Sequence, residues 1–352
     1  MHVDHCGWQV GITYQSGRPG GLDHAYMRTL LHEMASHRMN LLSIMMQSYA
    51  YYDPQHDGYA WPCQNPKLAW YRDTAAVNAQ PGAEFLHSII DEARDIGIEI
   101  ELFLNWGIWN KTTTAKAYPG VQGQVDASGR SMDWLQCPDA PDSWQLGIDE
   151  MNDLLSFYHH PNVTRFAFER VGYAGKTYCY CPHSQAAFQA DRGSTMKDAT
   201  ARQLAEWKQQ HITELLRAYV ARVKAARPEI HVGIHSRGEA AWGHDPARFK
   251  DVGIEFVEPH VAQHKTSKAE LHANWDRLAP NLCILHFDAR DNAPVNYPIW
   301  RKEPRIIEKI FGWVEQYYGN NLSGILFFNE PAVSLANKRC VYKIVDTMQI
   351  SR

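Results

Sequence analysis

The stretch Leu282-Cys-Ile-Leu-His-Phe-Asp288 sets the pattern on which the fold rests. It is a short apolar run that closes on an acid, with His286 and Asp288 on one face at the period of a strand. The same form recurs in both directions. Downstream lies Gly324-Ile-Leu-Phe-Phe-Asn-Glu330. Upstream lie Ile254-Glu-Phe-Val-Glu258, Ile230-His-Val-Gly-Ile-His235, Val163-Thr-Arg-Phe-Ala-Phe-Glu169 and Glu99-Ile-Glu-Leu-Phe-Leu-Asn105. Two more apolar runs, Asn40–Met46 and Gln9–Tyr14, bring the number of expected strands to eight.

Between the runs stand segments of helical period. Met27, Leu30, Leu31 and Met34 form one stripe, and Leu86, Ile89, Ile90 and Ala93 another, closed by Gly97 as a C-cap. Met151, Leu154, Leu155 and Tyr158 form a third, and a long helix carries Ile212, Leu215, Leu216, Tyr219, Val220 and Val223. Ile307, Ile310, Phe311 and Val314 precede the eighth strand. Eight strands, each followed by a helix or room for one, predict an α/β fold. It is a (β/α)8 TIM barrel in one domain over residues 1–352, with long βα loops after strands 2, 3 and 4. A doubly wound sheet would show a glycine-rich phosphate turn after its first strand. Ser16-Gly-Arg-Pro-Gly-Gly21 lacks that spacing.

Composition narrows the function classes. The 352 residues are 45% hydrophobic and 21% charged, with a net charge of −4, so no basic surface points to nucleic acid. No stretch is long and apolar enough for a membrane span. The first residues, Met1-His-Val-Asp-His5, lack the form of a secretion signal. Seven cysteines are too few for a disulfide framework. A cytoplasmic setting is expected, and a homo-oligomer is left open. There are 12 Trp, 17 Tyr and 18 His. The aromatics cluster in expected loops, where flat rings with polar edges suit the C–H faces of sugars. Tyr14, Trp61, Trp106 and Trp109 are the candidates for such a platform.

The active site of a barrel gathers where strands end. The expected strand ends are Asn105, Glu169, His235, Glu258, Asp288 and Glu330. A single such acid is ordinarily a helix cap or a solvated charge. Four from four strands would concentrate like charge at one mouth with no structural benefit, so they are read as chemistry. Paired carboxylates there suit glycoside hydrolysis: one protonates the leaving oxygen, and the other attacks the anomeric carbon or activates water. His286 is expected beneath Asp288, orienting it. Arg237 and Arg290 supply rim cations that clamp a substrate carboxylate or neutralise the acids.

A resemblance adds to this reading. Gln136-Cys-Pro-Asp-Ala-Pro-Asp-Ser-Trp144, Phe166-Ala-Phe-Glu169, and Tyr178-Cys-Tyr-Cys-Pro-His-Ser184 with Phe188 resemble barrel glycoside hydrolases. The likeness is to putative glycosyl hydrolase groups, alpha-glucuronidase-like proteins and Cys-cluster beta-galactosidases. It implies an acid at the end of strand 4, followed by a Cys-x-Cys-x-x-Cys-like loop. The third cysteine position holds Ser184, and zinc there would need His183 or Cys137 beside Cys179 and Cys181. No metal or cofactor is assigned. The alpha-glucuronidase-like pattern implies acids on strands 4, 6 and 7, places that Glu169, Glu258 and Asp288 fill, and an inverting reaction.

The resulting expectation is a glycoside hydrolase acting on a carbohydrate substrate. Glu169 is the general acid, Asp288 and Glu258 compete for base or nucleophile, and Glu330 supports binding with Asn105, His235 and His286. The alternative is a metal-dependent sugar isomerase or epimerase using His235, Glu258, His260, His286, Asp288 and Glu330, residue types that hold Mn²⁺ or Zn²⁺.

Overall fold

A computed structural model describes residues 1–11, 22–48, 58–72, 77–79, 84–107, 114–262, 265–279, 281–291, 301–318 and 322–351. Eight parallel strands close into a barrel. They are β1 (His5–Gly11), β2 (Leu41–Met45), β3 (Glu99–Asn105), β4 (Val163–Glu169) and β5 (His231–His235). The ring continues through β6 (Phe256–Val257, resuming at His260–Val261), β7 (Cys283–Asp288) and β8 (Leu322–Phe328). Each strand pairs with its successor, and β8 returns to β1 through Phe327 opposite Trp8. Val257 opposite Cys283 and His260 opposite His286 join β6 to β7.

Period-two alternation divides the strands into two environments. Outward positions such as Trp8, Ile44, Leu104, Phe168 and Phe287 meet the helices in one large core. Inward positions form a smaller cluster of Leu41, Met45, Phe103, Ala167, Phe256, Ile284, Leu326 and Phe328. The helices are α1 (His24–Ser36), α2 (Phe85–Asp95), α3 (Ser143–Phe157), α4 (Pro182–Arg192), α5 (Ala201–Ala226), α6 (Lys268–Leu278), α7 (Pro304–Tyr318) and α8 (Leu335–Asp346). The stripes expected on α1, α2 and α7 are buried throughout. Each such side chain contributes about 1.5–3 kcal/mol by leaving water. Thr200 with Gln203, and Ser267 with Glu270, close capping boxes at the starts of α5 and α6. After β5 the helix is replaced by three short 3-10 turns between Ala240 and Val252.

Four elements differ from expectation. β1 begins at His5 rather than Gln9, because Cys6, Trp8 and Val10 alternate onto the helix-facing side and are fully buried. β6 is interrupted at Pro259, which has no N–H for the ladder. β8 ends at Phe328, so Glu330 lies in a 3-10 turn with Pro331. The loop after β3 contains an unforeseen hairpin, Gly123–Val125 against Ser131–Gln136. Its turn is held by Asp126, whose Oδ1 accepts the N–H groups of Ser128 and Arg130 at 2.9 Å, while Gly129 adopts φ +88°. No helix among the described residues is long and apolar enough to cross a membrane. All seven cysteines are free thiols.

Candidate active site

Register brings the strand ends together. Asn105, Glu169 and His235 stand side by side at the ends of β3, β4 and β5. Gly233 pairs with Phe256, so Glu258 lies beside His235. All point inward by parity, as do His260, His286 and Asp288.

Glu169 is gripped from two sides. Its Oε1 accepts from Arg170 Nε at 3.0 Å, and its Oε2 lies 2.5 Å from His235 Nδ1. Burial would raise its carboxyl, but Arg170 and His235 outweigh burial and hold it down at about 2. Glu169 is therefore ionised, the reverse of the state expected for a general acid. Glu258 sits in the opposite setting. Burial and the neighbouring Glu101 carboxyl push it well above the usual range, with Arg165 opposing. Glu101 is raised for the same first reason, burial. Two adjacent carboxyls away from water disfavour each other's ionisation, and both are shifted toward the protonated form.

Three imidazoles adjoin these acids. His286 Nδ1 lies 3.3 Å from His235 Nε2, and the His260 ring centre is 4.8 Å from that of His286 and 5.1 Å from that of His235. Phe103 meets His235 edge-on, and Phe328 packs against His260 and His286. Burial holds His260 and His286 well below the ordinary imidazole value. The expected bond from His286 to Asp288 is replaced by this contact with His235.

Asp288 and Glu330 are instead tied to cations. Arg290 binds Asp288 through Nε at 3.1 Å and Nη2 at 2.6 Å, and Lys302 Nζ lies 3.6 Å from Oδ1. Of the two expected roles for Arg290, neutralisation of the acid ring is the one seen, and its guanidinium also covers the Phe328 ring. Glu330 accepts from Tyr26 Oη at 2.5 Å and pairs with Lys338. Both carboxylates are fully buried. Arg237 is half-buried and its charge is felt by His260.

The aromatic expectations need correction. Trp61 is fully buried and donates Nε1–H to Asp153 Oδ2 at 2.6 Å. Trp106 is also fully buried, packed edge-on against Trp144 and over Gly147, where a Cβ would fall 1.7 Å from the indole nitrogen. Both are core residues, because the loops after β2 and β3 fold back onto α3. Tyr14 and Trp109 lie outside the described residues. Among the described residues, Trp134 also brings a ring to the site, half-buried against the inward cluster and 5.4 Å from Arg170. Its signal in the sequence was the Asp126-Ala-Ser-Gly-Arg130 turn before an alternating run. Asn105 is placed as expected, and both its amide atoms are buried without a hydrogen-bond partner among the described residues.

On the outer side of the β4 loop, Cys137, Cys179 and Cys181 gather with their sulfurs within 4.8 Å of one another. Cys137 thus joins the pair, and His183 is not in the cluster. Ser184 Oγ, at the third cysteine position, lies 3.3 Å from Cys137 Sγ and donates to Asp139. Three thiols with a carboxylate nearby suit zinc by donor chemistry.

No family model matches the chain, and no curated protein matches it in sequence. Solved structures do match in shape. The PgaB (BpsB) glycoside hydrolase domain from Bordetella bronchiseptica superposes with a TM-score of 0.72 at 13% identity, over 99% of this chain and 100% of that one. The fold is that of the barrel-type glycoside hydrolases. Beta-galactosidase from Bacillus circulans sp. alkalophilus gives a TM-score of 0.67 at 13% identity, over 97% of this chain and 55% of that one. A GH20 exo beta-N-acetylglucosaminidase from Vibrio harveyi gives 0.58 at 9%, over 99% and 55%. This chain thus spans the whole PgaB domain and about half of the other two.

Proposed function

We propose that the protein hydrolyses glycosidic bonds at the β4–β6 side of the barrel mouth. What carries the reading is a pair of carboxyls on β4 and β6, either side of His235, that are driven in opposite directions: Glu169 toward its ionised form and Glu258 toward its protonated form. Carboxyls driven apart in this way are the requirement for acid and base in glycoside cleavage. The reading exchanges the expected roles: Glu258 protonates the leaving oxygen, and Glu169 attacks the anomeric carbon or activates water. Asn105 supplies an unsatisfied amide for a sugar hydroxyl, and Trp134 an apolar face. The likeness in fold to a glycoside hydrolase domain, a beta-galactosidase and a beta-N-acetylglucosaminidase supports the same class.

The test is release of nitrophenol from a panel of nitrophenyl glycosides, with reducing-end release from polysaccharides in parallel. Hydrolysis by the wild type that Glu169→Gln reduces at least a hundredfold on both kinds of substrate, and Glu258→Gln at least a hundredfold on the polysaccharides, supports the reading. Equal rates in all three proteins would overturn it. A good leaving group should rescue Glu258→Gln and not Glu169→Gln, because only the acid's work is spared.

A further inference from the structure

We infer that His235, His260 and His286 form a transition-metal site, suited to Zn²⁺, on the inner wall of β5–β7. One ring nitrogen from each lies within 4.8 Å of the others. Two imidazole nitrogens bound to one tetrahedral zinc at 2.0–2.1 Å stand about 3.3–3.4 Å apart. His235 Nε2 and His286 Nδ1 already stand at 3.3 Å. A small rotation of His260, whose ring faces both, completes the set.

Hydrogen bonding alone leaves the cluster unsatisfied. His260 Nε2 and His286 Nε2 are buried and have no partner among the described residues. A buried polar nitrogen without a partner is destabilising, and ligation through Nε2 gives His260 the partner it lacks. Glu169 completes the arrangement: its carboxylate at 2.5 Å fixes the proton of His235 on Nδ1 and leaves Nε2 free to ligate. Carboxylate–histidine–metal chains of this kind orient ligands and raise their basicity.

Three protein ligands leave the fourth position for water or a substrate hydroxyl, the pattern of a reactive rather than a structural zinc. The His235 and Glu169 side chains keep 11% and 13% of their surface exposed, so this edge faces the mouth. The site goes beyond the hydrolase reading and does not rest on it.

The experiment loads the full chain with Zn²⁺ after chelation, dialyses it and counts bound zinc by plasma mass spectrometry. Because the cysteine cluster is a second candidate, the count is repeated in Cys179→Ser/Cys181→Ser. That variant should keep one zinc per chain, and adding His260→Gln or His286→Gln should remove it. Co²⁺ in the Cys179→Ser/Cys181→Ser protein should give visible bands of a four-coordinate nitrogen site without thiolate charge transfer. Glu169→Gln should weaken Zn²⁺ binding about 10–100-fold. If the cysteine variant fails to fold by circular dichroism, the His variants in the wild-type background should each lower the count by one. A count unchanged by either histidine substitution, or near zero in the folded double-serine protein, would overturn the site. No readout uses a glycoside, so failure of the hydrolase reading would leave this result standing.

Discussion

The two halves of the barrel mouth treat carboxylates differently. On the β7–β8 side, Asp288 and Glu330 each face permanent cations, Arg290 and Lys302 for one and Lys338 for the other. On the β4–β6 side, Glu169 is shared between the Arg170 guanidinium and the His235 imidazole, and Glu258 faces another carboxyl. An acid enclosed by buried arginine and lysine has its charge settled by folding and contributes to structure. A buried acid whose neighbour is another carboxyl is driven toward its protonated form. On the proposed reading, stability falls to the first half of the ring and reactivity to the second.

The largest expected effect tests the reactive half. Glu169→Gln should lower kcat by about two to four orders of magnitude, the usual scale for a lost acid–base group. A kcat near wild type on an unactivated substrate would move the chemistry elsewhere. The pH profile sharpens the same point. If Glu258 is the acid, as proposed, it acts protonated with a raised pKa, so activity should fall as pH rises through that value. Glu258→Gln should abolish this alkaline limb.

Asp288→Asn probes the other half and should act on stability. Removing the carboxylate charge leaves Arg290 and Lys302 buried with less compensation, a loss of about 3–5 kcal/mol by the usual cost of breaking a buried pair. Urea unfolding measures it, and a fall in kcat at unchanged stability would break the division between the halves. Trp61→Ala should cost a similar amount, about 3–5 kcal/mol, and leave KM alone.

Smaller effects follow. The Glu169 carboxyl stands at about 2 in the folded chain against an ordinary 4.5, so folding favours its ionised form. That contribution is complete above pH 4.5 and disappears as pH falls toward 2. Glu169→Gln should therefore flatten the acid limb of the stability curve in this window. Trp134→Ala should raise KM about two- to tenfold, the scale of one aromatic contact, and ligand should no longer perturb the fluorescence attributable to that indole. An unchanged KM would remove Trp134 from the binding surface.

Much of this molecule could be read from its residues in order. Strand and helix periods depend on neighbours two to four positions apart, so β3 and β4 were located to the residue, and the buried stripes of α1, α2 and α7 were identified. Parity placed Glu169, His286 and Asp288 on the inner face, because a strand turns every second side chain the same way. Which partner each would meet there was not local information. Lys302 and Lys338 reach the acids from segments beyond the strand ends, and no sequence period links them to Asp288 or Glu330. Trp61 and Trp106 looked like loop aromatics until α3 covered them, while Trp134 came to the mouth on a hairpin whose turn alone was legible. His260 sits after Pro259, where a broken ladder hid its strand position. The shift of Glu169 came from Arg170, its neighbour in the chain, together with His235 across the strands, and that of Glu258 from burial and Glu101. A carboxyl's proton affinity depends on burial and on charges within a few ångströms, and those distances exist only once the barrel closes.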